Sequence, residues 1–411
     1  IIDITLRKTN ERKQEWDIVR VDKRKIITEI GVVEFNRTYY RHKKTKKYIY
    51  LLDDYIGLKN YQRMTEEVEA KLLELASEVS YEKAGKFAYE NIEISKQTVM
   101  NKVKKLLLKE IELSKGRKKK EVKTLYIDAD EDHVTIRKGK KRIVKIIYIY
   151  EGKYKESKER MALYNKFYFI SYEKKSEDLW IDVMDYIYEN YELDKIENVF
   201  IQGDGANWIK GGSSWIDKSR YIIDKFHLNK AIQKITKGKL TEGVGLELKN
   251  AVYSLDKNKF NEITEKMIEE EKSEGRKEKL KKYRGYIRNK WKGIEVLVKE
   301  EGKYKLGCSA EGHVSHILSF RLSSRPMIWG ELGLEAMSRL RMLTANGAGR
   351  EELKKIMESI NMKNSKEKKL KGRKLQRISK KIVETLGNIP VINIGKNISA
   401  KNILKNLSHP I

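Results

Sequence analysis

The chain has 411 residues, with 89 Lys and Arg against 60 Asp and Glu, and a net charge of +29. Its one cysteine, Cys308, excludes an intramolecular disulfide framework and any cysteine-based zinc finger. No run approaches the roughly 20 apolar residues of a spanning helix, so a soluble chain of two to four domains is expected.

The 23 Tyr and 6 Trp argue against wholesale disorder, and the three prolines, at 326, 390 and 410, leave room for long helices. The start, Ile1-Ile2-Asp3-Ile4, has no initiator Met and no apolar signal core, and a cytoplasmic protein is expected. The charge favours polyanions through counterion release, which needs no sequence readout. A solvated Lys-rich surface from an AT-rich genome is the plainer reading of the same composition. A membrane surface fits less well, because the basic residues are dispersed and not gathered on one amphipathic helix.

In chain order, β-branched and aromatic residues from Ile26 to Tyr40 and from Tyr48 to Leu52 predict a basic β-hairpin or small sheet within a strand-rich region, 1–60. Region 61–113 then turns helical. Val68, Leu72, Leu75 and Val79 recur at spacings of three or four after Thr65-Glu66-Glu67, and a short helix fits Tyr81–Tyr89. A third helix opens at Ser95-Lys96-Gln97-Thr98 and carries Val99, Val103, Leu106 and Leu107 inward. Its polar face would present Lys96, Gln97, Asn101 and Lys102, as a helix-turn-helix presents a recognition helix to DNA; a plain helical bundle has the same pattern. Ser114-Lys115-Gly116-Arg117-Lys118-Lys119-Lys120 reads as a charged linker, 114–122.

Past the linker, strands fit Thr124–Asp130 with Asp132–Arg137, Ile143–Tyr150, Lys166–Ser171, Asn198–Gln202 and Arg220–Ile223, with a helix over Glu177–Asn190. Three meandering strands, a helix and two further strands is the order of an RNase H-like fold: an α/β core with a mixed five-stranded sheet. The core is expected in two parts, 123–227 and 306–350, interrupted by an all-helical, highly charged insertion at 228–305. The end, 351–411, is a basic tail, and Met362–Lys381 reads as extended or mobile.

Three acids stand apart in this frame: Asp130 on the first strand, Asp204 in Gly203-Asp204-Gly205 after the buried strand, and Glu311 in a helix after the insertion. In such a fold the three positions converge, although 74 and 107 residues separate them. Converging carboxylates repel unless cations sit between them, and hard oxygen ligands suit Mg²⁺ or Mn²⁺. Asp128 points to the same strand face as Asp130, and the pattern does not separate them. Asp224 and His227, three apart at a strand-to-helix junction, can face the same pocket; a His packed beside Phe226 is the plainer alternative.

Gln202-Gly203-Asp204-Gly205-Ala206-Asn207-Trp208-Ile209, Asp224-x-x-His227, Ser309-Ala310-Glu311-Gly312-His313-Val314, Arg321-Leu322-Ser323-Ser324-Arg325-Pro326-Met327 and Leu125–Val134 together resemble the ISLre-two insertion-sequence transposases, long filed as an uncharacterised protein family. The resemblance covers essentially the whole chain. It implies a DDE transposase that binds the ends of its element in double-stranded DNA, cuts at 3′ ends and joins them to target DNA with two Mg²⁺ ions. It also implies Asp130, Asp204 and Glu311 as the metal-binding catalytic acids, with Asp224 and His227 beside them. A homodimer or larger assembly on DNA follows by analogy. A DNA-binding protein with an unused core, and a structure-selective nuclease, are the competing expectations.

Overall fold

Residues 2–89, 92–108, 118–158, 160–237, 243–300 and 306–370 are described in the computed structural model. Two units divide the chain: residues 1–26, 34–63 and 355–411 form one, and residues 27–33 and 64–354 the other.

In the first unit the expected small sheet has three strands, β1 (Trp16–Thr28), β2 (Gly31–His42) and β3 (Tyr48–Tyr50), side by side in that order. β3 stops at Tyr50, and Leu51–Tyr55 is a helical turn where the strand was expected to run on to Leu52. The physical reason is Asp53. Its buried carboxylate pairs with Arg24 on β1 and Arg37 on β2, and Arg24 also donates to the Lys59 and Gln62 carbonyls at 2.8 and 3.0 Å. Both arginines meet the same oxygen, Oδ2, and this doubly paired buried acid holds the turn against the strands.

The second unit is built on β4 (Thr124–Thr135), β5 (Lys141–Tyr150), the small hairpin β6 (Gly152–Lys155) with β7 (Met161–Tyr164), β8 (Phe167–Ser171), β9 (Asn198–Gly203) and β10 (Ser219–Ile223). The five-stranded sheet runs β10-β9-β4-β5-β8. β9 is parallel to both β4 and β10, while β5 is antiparallel to β4 and β8. The sheet is therefore mixed, as expected, and the β6–β7 hairpin is an element the sequence reading missed.

β4 is buried on both faces, from Leu125 to Ala129. One face sets Leu125, Ile127, Ile147, Ile149, Phe169, Val199 and Ile201 against Leu179, Trp180, Val183 and Ile187 of the helix Ser176–Asn190. The other is an aromatic layer. Tyr126 stacks on Tyr150 and Phe200, with ring centroids 5.4 and 5.7 Å apart, and Tyr148 lies 5.9 Å from Tyr150 and 5.3 Å from Tyr168.

Helices dominate the remainder. Glu66–Glu78, Tyr81–Phe87 and Lys96–Lys104 pack on one another and on Glu331–Ala345. Ser95 caps the third, accepting from the Thr98 amide at 3.2 Å. Arg321 donates to the Ala76 carbonyl at 2.9 Å and Arg341 to the Ser77 carbonyl at 3.1 Å, covering the last carbonyls of the first helix. The helix-turn-helix-like bundle expected at 61–113 thus shares a unit with the sheet instead of standing alone. Of the linker expected at 114–122, residues 114–117 lie outside the described residues; in the rest, the Lys120 amide donates to the Asn190 carbonyl at 2.8 Å and the Lys120 carbonyl accepts from the Glu192 amide at 2.9 Å.

The insertion is helical as expected: Lys225–Ile235, Gly243–Tyr253, Lys257–Glu270, Glu274–Asn289 and Trp291–Lys299. After it, a helix spans Ala310 to Leu322, with Val314–Ser319 wound as a π-helix. The last helix, Arg350–Leu370, corrects the extended tail expected from Met362; residues 371–411 lie outside the described residues. Leu353, Met357 and Ile360 supply its buried face.

At Gly203 the sheet closes tightly. A Cβ there would stand 2.6 Å from the Ala129 carbonyl oxygen and 3.0 Å from Ile209. Gly203→Ala is expected to cost about 1–3 kcal/mol, because backbone gives way less readily than a side chain. Urea denaturation of the variant checks this, and unchanged stability would contradict the tight contact.

Candidate active site

The strand register brings three acids to one edge. Asp128 on β4 pairs with Gln202 on β9, and Gly203 on β9 pairs with Ile223 on β10. Just past the first pairing, Asp130 on β4 and Asp204 after β9 lie close enough for the Asp204 charge to act on Asp130. One residue on from the second, Asp224 stands beside Asp204. Side chains alternate along each strand, so the paired residues Tyr126 and Phe200, and Arg220 and Phe200, share a face with Asp130, Asp204 and Asp224. It is the aromatic face, opposite the helix Ser176–Asn190.

Electrostatics agree with this placement. Burial pushes the Asp130 carboxyl up to about 6, with Asp204 adding to the rise and His227 opposing it. Asp224 caps the helix Lys225–Ile235, accepting from the Phe226 amide at 3.1 Å, and its other oxygen lies 2.7 Å from His227 Nδ1. The bond to Asp224 raises the His227 pKa against its burial, and Asp204 and Asp130 raise it further. The Asp224 amide donates to the Gly203 carbonyl at 2.9 Å, which locks the two strand ends together. Asp204 accepts from the Ala206 amide at 2.8 Å, and Gly205 takes a positive φ of 86° to make that turn.

Asp128 and Asp130 part company here. Asp128 is fully buried and accepts from the Tyr148 hydroxyl at 2.8 Å, the Tyr150 hydroxyl at 3.2 Å and the Ser309 amide at 2.9 Å. Burial raises its pKa, and its oxygens have no open side. Asp130, partly exposed and within the field of Asp204 and His227, is the acid of this strand that faces the site.

Asp128 has a second effect. By holding Ser309 it sets the helix containing Glu311 against β4. Glu311 itself is exposed. The structure thus gathers Asp130, Asp204, Asp224 and His227; Glu311 is not among the groups acting on them and stands exposed on a helix packed on β4. Among the described residues no three His, Cys, Asp or Glu side chains already stand as a metal-binding group. The donor chemistry nonetheless fits a hard cation: ionisation of Asp130 is disfavoured beside Asp204, and the candidate ligands are carboxylate oxygens.

The sequence reading missed two residues from the insertion. The Tyr286 hydroxyl donates to the Asp204 carbonyl at 2.7 Å. Lys290 lies 3.9 Å over the Tyr286 ring, and burial lowers its pKa while Asp204 raises it. Their position in the chain offers no signal, but Gly205 does: a Cβ there would strike Lys290 at 2.4 Å.

On the helix Lys96–Lys104, Val99, Val103 and Leu106 are buried and Lys96, Gln97 and Asn101 exposed, as the period predicts. Gln97 donates to Asn101 at 3.0 Å. Lys102 departs from the expectation of a free outward cation. It pairs with Glu69, whose side chain is 3% exposed and which also accepts from Lys105 at 3.3 Å. A buried acid captures the nearest ammonium.

The raised Asp130 pKa has a stability consequence. Between 3.8 and about 6 the folded chain holds this proton more tightly than the unfolded chain, so stability falls as pH rises through that window. In EDTA, Asp130→Asn is expected to stabilise the protein at pH 7 by about 1–3 kcal/mol and to give no gain near pH 4. Thermal melts at the two pH values check this; an equal effect at both would contradict the raised pKa.

The chain matches the family described as "Uncharacterised protein family (UPF0236)" over residues 1–359. Two UPF0236 proteins of Caldanaerobacter subterraneus subsp. tengcongensis are 38% and 39% identical to it, each alignment covering 99% of this chain and 86% of the relative. The printed name of the second carries eleven locus designations. A Streptococcus gallolyticus relative, named "UPF0236 protein in vanSb 3'region", is 25% identical over 81% of this chain and 75% of its own length. With the profile and near full-length relatives in agreement, the chain belongs to the UPF0236 family.

Proposed function

We propose that this protein is a DDE-type DNA transposase on an RNase H-like core, cutting at the 3′ ends of its element and joining them to target DNA. The observation that carries the reading is the proximity of Asp130, within β4, to Asp204, just past the end of the adjoining parallel strand β9, with Asp224 and His227 alongside. The sheet supports it: taken in chain order its strands lie 3-2-1-4-5, with the second antiparallel, the arrangement of RNase H-like folds. Repetition supports it too, since a relative with eleven locus designations is what an element that copies itself leaves in a genome.

Asp130, Asp204 and Glu311 would hold Mg²⁺ or Mn²⁺. Ions held there would supply activation of an attacking water or 3′-hydroxyl and charge stabilisation for the leaving 3′-oxygen. Asp224 fixes the His227 ring through Nδ1, and in the imidazolium form, which the surrounding acids favour, Nε2 can donate to a phosphate oxygen. Tyr286 steadies the backbone at Asp204 from the insertion side. Two copies acting on two ends, and end recognition by the helix Lys96–Lys104, belong to the same proposal.

Asp204→Asn and Glu311→Gln are each expected to lower Mg²⁺-dependent nicking of element-end DNA by at least about 10²-fold while leaving DNA binding intact. Full activity in either variant would overturn the acid assignment. End binding by the wild-type protein without any metal-dependent nicking would favour the unused-core reading, and nicking without joining of pre-cut ends the nuclease. Gln97→Ala and Asn101→Ala are expected to lower preference for end over scrambled duplex by about 1–3 kcal/mol. Equal losses on both duplexes would remove the recognition role.

A further inference from the structure

The helix Glu274–Asn289 turns different faces to different tasks. Leu280 and Ile287 are buried in the insertion. Arg276 donates to the Lys234 and Ile235 carbonyls at 2.8 and 2.5 Å, and Arg284 pairs with Glu265. Tyr286, on a flank, reaches the Asp204 carbonyl, and Lys290 follows at the helix end over the Tyr286 ring.

The outward face is different. Lys281, Lys282, Arg288 and Asn289 are exposed, and Lys281, Lys282 and Arg288 make no ion pair among the described residues. At about 100° per residue, positions 281, 282, 285, 288 and 289 fall within an arc of roughly 120°, with Gly285 near its centre. Glu274 and Glu278 share the arc in the N-terminal half of the helix, Glu274 paired with Lys277 at 3.2 Å, so the basic stretch is the C-terminal half, 281–289. Tyr286 borders this arc. Gly285 has no internal justification: an added Cβ would meet nothing within 4 Å, and glycine weakens a helix interior relative to alanine. A missing side chain between three cations is what a closely approaching phosphate backbone requires.

We infer that this face is the track on which the sugar-phosphate backbone of duplex DNA lies, leading one strand past Tyr286 and Lys290 to Asp204. The inference rests on the transposase reading and deepens it, assigning to the insertion the DNA that enters the carboxylate site. The charges suit such a ligand: three unpaired cations outside, acids at the end of the track, and structural arginines kept inside. Binding here is to phosphates and carries no sequence preference.

The test uses the full chain, a fluorescein-labelled duplex of arbitrary sequence, EDTA and a series of KCl concentrations, read by anisotropy. The variant Lys281→Gln/Lys282→Gln/Arg288→Gln is expected to bind about tenfold or more weakly at low salt. Its slope of log affinity against log salt should be smaller by roughly 2–3, about 0.9 for each lost phosphate contact. Gly285→Glu keeps every cation and puts a carboxylate into the notch, and a similar loss is expected with an unchanged circular dichroism spectrum. Wild-type affinity and slope in both variants would overturn the inference and leave the transposase reading standing. DNA binding like wild type but altered sedimentation would also overturn it, marking the face as a contact between copies. A wild-type chain with no salt-dependent affinity for any duplex would overturn both.

Discussion

The architecture of the second unit depends on one buried carboxyl. Asp128 sits inside the sheet with no exposed surface, and the Tyr148 and Tyr150 hydroxyls and the Ser309 amide all donate to it. A buried acid left unbonded costs several kcal/mol, and so do buried hydroxyls without partners. Each group therefore needs the others, and the need is met only when Ser309 comes back to β4 across 181 residues. That return delivers the helix bearing Glu311. Asp128 touches none of the other acids, yet it decides where the last of them stands.

This closure explains how an insertion of five helices can interrupt the core without unmaking it. The entropy of closing a loop grows only with the logarithm of its length, so the chain between β10 and Ser309 can be long at small cost. The insertion also returns contact to the sheet. Helix Trp291–Lys299 packs on β10, where a Cβ on Gly293 would stand 2.6 Å from the Tyr221 ring. The Tyr221 hydroxyl in turn donates to the Gly203 carbonyl at 3.1 Å. Two glycines and a tyrosine thus convert helix packing into the position of the Asp204 loop.

Much of this was legible in the residues, and the illegible part has a common cause. Strand runs such as Asn198–Gly203, the Ser95 cap and the Gly203-Asp204-Gly205 turn are local patterns, and local patterns are what a sequence displays. Asp128 and Asp130 have the same parity, so periodicity could not rank them; only the tyrosine layer and Ser309 do. Lys102 looked like an outward cation because its captor, Glu69, lies 33 residues away on another helix. Tyr286 and Lys290 are 82 and 86 residues beyond Asp204 within an unremarkable charged helix. The β6–β7 hairpin was lost because Gly152–Lys155 and Met161–Tyr164 are only four residues each and the first is half lysine. Apart from that short hairpin, the missing information is in each case a long-range contact.

The same contacts leave the site in a strained electrostatic state, and that state is a coherent one. Asp130 resists ionisation because it is desolvated and Asp204 is its neighbour, while His227 is drawn toward its charged form by the surrounding acids. Lys290, half-buried, loses hydration beside Asp204 but gains its field. Protein groups alone do not neutralise the cluster: two cationic side chains border three acids, and burial works against both of those cations. A site that is least comfortable without an added cation gains most when one enters, since any ligand that binds only the folded chain adds its binding energy to stability. The chain carries a net charge of +29, and its structural arginines are committed to carbonyls and acids inside. The excess positive charge is therefore left at the surface, while negative charge is concentrated at the Asp130, Asp204 and Asp224 cluster.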